Sequence, residues 1–587
     1  MSDQTPDFDV AIIGGGPAGT TVATLLRKYN PGLSVLILEK EKFPREHVGE
    51  SQLPLVSHIL AEMGVWEKVE AANFPIKLGV SYTWGQVNEP WEFDFFPAEE
   101  FTDEPRPASY AGQRQHTAFQ VERAEYDNIL LRHAEEMGAT VREETSVKEV
   151  LRDEDTITGL KLNTDETITA RHYVDASGHV GLLRRAMGVE SEAPKELRNV
   201  AFWDYWDNAK WKVEIGVGGT RVYVRSLPFG WIWFIPLGPS RASVGLICPS
   251  DYYKERGISP RELYDEALEL QPDIKALLAD AKSELGNDKV HSIKNWSHLS
   301  SRLVGENWWL CGESAGFADP ILAAGMTLAH SSARETAYSI LDIESDPGDM
   351  KWVKHRYDTK NRDNINQHIR FAKYWYASNG QFTDLQDHCT SIAKEAGLKL
   401  SPKDAWRWLS QGGFATEFAG TASLGSFSLN SGRHLVDRFL GGEQKMKIDG
   451  NNVFKLNIRG AKEDVIGDLH DGKIVRVPCY RRGNSVLPLA GQYGELVEML
   501  KQTSDIDKIL AYLNSKISGA VAAGSESLSI SSYMQTLDAM MIQGWVTGKL
   551  DKRKPQIQIG SITGRLIRSE HAAKDALTKA KGSIKFN

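Results

Sequence analysis

Residues 8–39 read FDVAIIGGGPAGTTVATLLRKYNPGLSVLILE, and this stretch decides the fold. Phe8–Ile13 is an apolar run of strand length, followed at once by the G-x-G-x-x-G loop Gly14-Gly15-Gly16-Pro17-Ala18-Gly19. Val22, Leu25, Leu26 and Tyr29 then recur at i, i+3, i+4 and i+7, the spacing of one helix face. Asn30-Pro31-Gly32 stops the helix, and residues 34–38 form a second apolar strand that ends in Glu39. A strand, a glycine loop, a helix and a strand closing on an acid, all within about thirty residues, is the arrangement that cradles a dinucleotide. Gly14 is expected to make the tight turn, Gly16 to let the backbone approach a pyrophosphate, and Gly19 to bring helix and strand together. The phosphates would meet the positive end of the helix. Glu39 is placed to accept hydrogen bonds from a ribose.

Working outward, the chain of 587 residues has room for two to four domains. Hydrophobic content of 41% and charged content of 25% are those of a globular protein, and a net charge of −9 argues against nucleic acid as a partner. Cys248, Cys311, Cys389 and Cys479 are scattered, which suggests neither a metal site nor a disulfide frame and fits a reducing cytosol. No signal-like start and no apolar run of membrane length stands in the sequence, so a cytoplasmic protein without integral membrane association is expected.

Downstream of Glu39, the charged loop FPREHVGES (residues 43–51) can fold over the cofactor, with Arg45 as a phosphate or flavin partner. Lys77 stands inside the apolar segment Phe74-Pro75-Ile76-Lys77-Leu78-Gly79; most lysines are surface residues, so alone it carries no claim. A strand at 172–174 ends in Asp175-Ala176-Ser177-Gly178, where the adenosine half would be closed in. Trp308-Trp309-Leu310-Cys311 runs into Gly312-Glu313, and a helix is expected from about Gly325 to Ile340. Residues 210–217, 220–227, 231–236 and 242–247 are β-rich, with glycine and proline turns between them, and suggest an antiparallel sheet.

The glycine loop, the 175–178 turn and Gly312-Glu313 are spaced as in the glutathione-reductase-type flavoproteins, in the branch that resembles p-hydroxybenzoate hydroxylase. The resemblance implies FAD rather than NAD. In that branch the residue at Glu313 bonds the ribityl chain, and the helix from Gly325 points at the flavin. The strand Trp231-Ile232-Trp233-Phe234-Ile235-Pro236 is W-x-W-x-I-P, the motif of flavin-dependent halogenases, and Lys77 resembles their essential lysine. A geranylgeranyl-reductase-like branch carries a similar strand, and two aromatics at i and i+2 are ordinary core residues as well. Trp231, Ile235 and Lys77 together favour the halogenases.

The fold implied is α/β: a Rossmann-like FAD-binding domain (1–200) with an antiparallel substrate layer (201–305), a return to the FAD domain with covering helices (306–400), and a mainly helical, winged-helix-like C-terminal domain (401–587). The FAD residues implied are Gly14, Gly16, Pro17, Ala18, Gly19, Glu39, Lys40, Arg45, Ser51, Arg123, Ser177, Gly178, Glu313, Gly325 and Met326. The resemblance also implies a halide ion at the backbone of Ala324 and Gly325, Lys77 as the catalytic amine, and Trp231 and Trp233 as the partition between substrate and flavin. A separate flavin reductase would supply FADH2, since no second glycine loop for NAD(P)H is found. The substrate would be a small electron-rich aromatic, phenol- or pyrrole-like or bound to a carrier protein. An aromatic monooxygenase, a lipid-reducing relative or a flavin-binding protein without turnover would share the fold. The turn Asp319-Pro320-Ile321-Leu322-Ala323-Ala324-Gly325 departs from the family in having no hydroxyl before its glycine. Residues 351–376 are read as a helix that covers the substrate side or serves as plain core, 412–432 as a loop or linker, and the basic stretch 552–587 as a solvated tail.

Overall fold

The computed structural model describes residues 5–84, 87–216, 218–286, 288–378, 448, 450–483, 485–522, 530–553, 567–569 and 584–586. The elements that position the site begin with β1 (Phe8–Ile13), α1 (Pro17–Tyr29), β2 (Val35–Leu38), α2 (Pro54–Met63), β3 (Ile76–Trp84), β4 (Val87–Asp94) and α3 (Arg123–Glu136). They continue with β5 (Thr140–Arg142), β6 (Ala170–Asp175), β7 (Asn199–Asp207), β8 (Gly219–Leu227), β9 (Gly230–Pro236) and β10 (Arg241–Pro249). The last are β11 (Trp308–Leu310), α4 (Gly325–Ser345) and α5 (Met350–Ser378).

The strands β11, β6, β1, β2 and β5 lie side by side in that order as a parallel sheet. Both faces of such a sheet are covered, which is why β2 reads as an unbroken apolar run with every residue buried. Helix α1 packs against α3 and α4. The loop between β1 and α1 needs its glycines for separate reasons. Gly14 has φ +108° and a Cβ there would stand 2.3 Å from the Ala176 carbonyl oxygen, while one at Gly19 would stand 2.0 Å from the Gly14 carbonyl oxygen.

The second layer is a larger sheet in which β7, β10, β9, β8, β3 and β4 are neighbours in that order. It is mixed rather than wholly antiparallel, because β8 and β3 run parallel. Alternation divides its faces. Trp231, Trp233 and Ile235 of β9 join the core shared with the FAD domain, whereas Ile232 and Phe234 join a second core with Leu246, Leu263 and Tyr264.

Strand β3 breaks that alternation once. Lys77 pairs with Thr220 and Gly79 with the very next residue, Arg221, leaving Leu78 as a bulge. Ile76 and Leu78 therefore pack into the second core, and Lys77 shares its face with Val80 and Tyr82. The apolar flank expected for Lys77 from Ile76 and Leu78 is thus on the opposite side of the sheet.

Helix α5 spans the stretch expected to be helical, and Tyr357, Ile365, Ile369 and Tyr376 are buried on it. Beyond it, Gly491–Gln502, Ile506–Ala522 and Ile530–Ile542 are helices around a core of their own that includes Leu496, Ile509, Leu537 and Trp545. The hairpin Lys462–His470 with Lys473–Arg482 lies beside them in sequence. The stretch read as a linker, 412–432, lies outside the described residues. The basic tail is not simply solvated: Ile567–Ser569 pairs with β4, and Ile584–Phe586 pairs with Val213–Ile215. Edge strands leave backbone groups unpaired, and these two segments supply the partners. No helix among the described residues is long and apolar enough to cross a membrane.

Candidate functional site

Between the two sheets lies a cavity of about 1130 Å³. Of the residues singled out from the sequence, Gly14, Gly16, Pro17, Ala18, Glu39, Lys40, Ser177 and Gly178 line it. So do Arg45, Ser51, Arg123, Glu313, Gly325 and Met326, and from the mixed sheet Lys77, Trp231 and Trp233. Two do not reach it. Gly19 is packed under the Gly14 carbonyl, and the side chain of Ala324 is buried while its neighbour Ala323 stands on the wall.

The wall fits FAD. Gly16, at the N-terminus of α1, has no side-chain cap, so the first N–H groups of that helix are left for a ligand. A Cβ on Gly16 would meet only the end of Arg45, at 3.3 Å. The Ser51 hydroxyl is buried without a hydrogen-bond partner. Other members are already engaged. Glu39 accepts the N–H of Gly15 at 2.7 Å and of Glu41 at 2.8 Å, which fixes the acid beside the glycine loop. Ser177 donates to Asp175 at 2.6 Å and accepts the Leu182 N–H at 3.1 Å. Arg123 holds Asp127 with two bonds of 2.9 Å and donates to the Val48 and Gly49 carbonyls at 2.9 and 3.1 Å. It pins the 43–51 loop from below. Burial raises the pKa of Glu313.

Lys77 is fully buried and donates to the Gln52 carbonyl at 2.9 Å, with its Nζ 5.3 Å from the centre of the Phe95 ring. Burial alone pulls its pKa from 10.5 down to about 7. Between those two values the unfolded chain holds a proton that the folded chain lacks, so stability climbs as pH rises through the window and is lowest below about 7. Lys77→Met, which removes the buried charge, is expected to unfold at higher urea than the parent at pH 7, by a few kcal/mol. Equilibrium unfolding should show the gap narrowing as pH rises toward 10.5 and closing only above it, where both states are nearly neutral.

The two tryptophans of β9 face each other at 6.0 Å between ring centres. Trp233 lies across Gly245 of β10, where a Cβ would be 2.1 Å from its ring. Gly245→Val is expected to turn that ring out of place, at about 1–3 kcal/mol of stability with an altered near-ultraviolet circular dichroism spectrum. An unchanged spectrum and unfolding midpoint would show the ring is not held by that contact. Trp231 donates to Tyr376 at 2.8 Å, and Tyr376 in turn to Asp319 at 3.0 Å. Asp319 also accepts the Ile321 N–H at 3.0 Å and the Trp296 indole at 3.3 Å. Burial pushes its pKa up to about 6. One buried acid thus ties the turn before α4, the tryptophan wall and α5 together.

At that turn Ala323 has φ +51° and ends the 3₁₀ segment Pro320–Leu322, after which α4 begins with its N-terminus on the cavity. Sequence reasoning passed over Trp203 and Trp296, both on the wall. A signal was present for Trp203, in the run Ala201-Phe202-Trp203-Asp204-Tyr205, which alternates as a strand facing the same chamber would.

The folded arrangement is that of a nucleotide-binding α/β flavoprotein, and a family profile described as FAD binding domain matches residues 7–372. The chain is 34% identical over 348 residues to a tryptophan 2-halogenase of Chondromyces crocatus, covering 58% of this chain and 62% of that protein. It is 31% identical over 400 residues to a 1H-pyrrole-2-carbonyl-[peptidyl-carrier protein] chlorinase of Pseudomonas fluorescens, covering 65% of this chain and 86% of that one. Among solved structures, the myxobacterial chondrochloren halogenase CndH superposes with TM-score 0.56 at 27% identity, covering 73% of this chain and 96% of that one. The flavin-dependent halogenase CmlS shares the fold over 95% of this chain and 98% of its own, with TM-score 0.69 at 24% identity. The chain belongs to the flavin-dependent halogenases.

Proposed function

We propose that this protein delivers hypohalous acid through Lys77 to an electron-rich aromatic ring. The observation that carries the reading is the placement of Lys77: a buried amine on the same cavity as the glycine loop and the Trp231–Trp233 pair. Reduced FAD, when bound, supplies the electrons with which oxygen and halide yield hypohalous acid. A separate reductase furnishes that reduced flavin.

The chain's own residues do the rest. Gly14, Gly16, Pro17, Ala18 and Gly19 form the pyrophosphate loop, with Glu39 and Lys40 at the ribose and Ser177 and Gly178 closing the adenosine half. Arg45, Ser51, Arg123, Glu313 and Met326 hold the flavin half. The N–H groups of Ala324 and Gly325, at the start of α4, hold the halide, a role suited to a helix N-terminus. The small side chain of Ala323 leaves room for a large anion, and the apolar wall favours bromide or iodide, which are the less strongly hydrated. Lys77 holds the hypohalous acid by hydrogen bond or as a haloamine; a pKa near 7 keeps much of the amine neutral and nucleophilic. Trp231 and Trp233 keep substrate off the flavin, a task for large rigid apolar groups. The substrate is a phenol, a pyrrole or a carrier-bound acyl ring, the relative named for a carrier-bound pyrrole supporting the last two.

The test is mass spectrometry of a phenol, pyrrole and indole panel incubated with the protein, a flavin reductase, FAD, NADH and halide. Halogenated product is expected, with bromide outrunning chloride at equal concentration. Efficient chlorination with chloride preferred would overturn the halide assignment. NADPH oxidation by the protein alone, without halogenated product, would place it with the hydroxylases of the same fold.

A further inference from the structure

Replacing a ring hydrogen by halogen releases a proton, and a ring that surrenders an O–H or N–H proton as it attacks is much the stronger nucleophile. A base on the substrate side of the cavity therefore matters. Five glutamates stand on the wall: Glu39, Glu41, Glu46, Glu50 and Glu313. Glu39 is held by backbone N–H groups beside the glycine loop, Glu41 and Glu46 are exposed, and Glu313 lies in the turn after β11. Glu50 is the one hydrogen-bonded to the mixed sheet. Tyr205 Oη donates to it at 2.9 Å, and the Gly49 N–H at 3.1 Å.

Its surroundings are built for a ligand with a polar edge. Tyr205 and Trp203 are two apart on one face of β7, and Trp203 lines the cavity. The Trp203 Nε1–H is buried beside Tyr205 without forming a proper hydrogen bond. Glu50 and the Gln52 carbonyl that holds Lys77 belong to one tripeptide, and the Ser51 hydroxyl between them is buried and unpartnered. Amine and carboxylate thus hang from the same short stretch of backbone, facing one chamber.

We propose that Glu50, oriented by Tyr205, accepts the hydroxyl or N–H proton of the ring, so that the substrate is a phenol or an N–H azole and not an ether or a plain arene. The inference rests on the halogenase reading above. The ring carbon forms its bond to halogen as the halogen–oxygen bond of hypohalous acid breaks, and that electron pair leaves on oxygen. The oxygen takes a proton from the Lys77 ammonium and departs as water. The O–H or N–H electron pair of the substrate moves toward the ring while its proton passes to Glu50. The halogenated carbon then loses its own proton to solvent, and Glu50 returns the proton it held to the substrate heteroatom. Lys77 is reprotonated from solvent, and no net charge is left behind. Burial raises the pKa of Glu50, which makes the carboxylate a stronger base than an exposed one.

The experiment compares a phenol with its methyl ether as substrates of the parent, Glu50→Gln and Tyr205→Phe, with reductase, FAD, NADH and bromide. Halogenated product is measured per hypobromite captured by a trap, so that each protein is its own reference. The parent is expected to prefer the phenol by about 100-fold, and Glu50→Gln to lose nearly all of that preference. Tyr205→Phe, which removes only the orienting hydroxyl, is expected to fall between them. A preference unchanged in both variants overturns the proposal while leaving the halogenase reading intact. Hypobromite absent from the parent overturns that reading and this proposal with it.

Discussion

Lys77→Ala is expected to lower product halogenation about 10²- to 10⁴-fold, the range typical for removing one positioned acid–base group, with reduced flavin still oxidised and hypohalite escaping to solvent. The effect is expected to be large because Lys77 is the buried amine on the wall among the described residues, Lys40 and Lys294 being exposed. Lys77 is on the cavity face of β3, where the Leu78 bulge brings Val80 and Tyr82 to the same side, and it is buried and held by the Gln52 carbonyl. The residues next to it in sequence, Ile76 and Leu78, point into the second core. Lys77→Met serves as control: it fills most of the same volume yet carries no amine, so equal loss in both variants assigns the effect to chemistry and not to a void. Regioselective product formed at parental rate by either variant would remove Lys77 from the mechanism.

Gly16→Val is expected to weaken FAD binding about a thousandfold, the sum of a steric cost and of lost charge-assisted bonds to phosphate. The FAD-free protein should unfold almost where the parent does. Gly16 has φ −74° and ψ −174°, which valine adopts readily, and a Cβ there meets only the flexible end of Arg45. Gly14 and Gly19 are a different matter, since a Cβ at either would collide with backbone oxygen at 2.3 or 2.0 Å. Isothermal titration with FAD, together with urea unfolding, separates the two classes. Parental FAD affinity in Gly16→Val would mean that the phosphates lie elsewhere.

The FAD half of the fold was legible because its signals are local. Thirty consecutive residues hold the strand, the glycine loop and the helix, and the loop's chemistry follows from backbone geometry that only glycine permits. The face of Trp231 and Trp233 was legible for the same reason, since i and i+2 in a strand share a side. What stayed hidden depends on partners distant in sequence. The bulge at Leu78 is visible only once β8 is laid beside β3. The partner of Glu50 stayed out of view until Tyr205, 155 residues on, was brought to it. The strands at 567–569 and 584–586 looked like a solvated tail because composition does not report that an open sheet edge is waiting.

The bulge in β3 has a bearing on how members of such a family can diverge. Because Leu78 and Gly79 together occupy the place of one residue, deleting Gly79 would leave Lys77 and Val80 on the side they already face. Lys77 would stay opposite Thr220 and Val80 opposite Val222, so the loss would be felt as a change of local twist between the amine and the tryptophans of β9. A change of length by a single codon would therefore alter the tilt of the amine without repacking either core. The orientation of a side chain on this strand is thus open to selection on insertions and deletions as well as on side-chain identity.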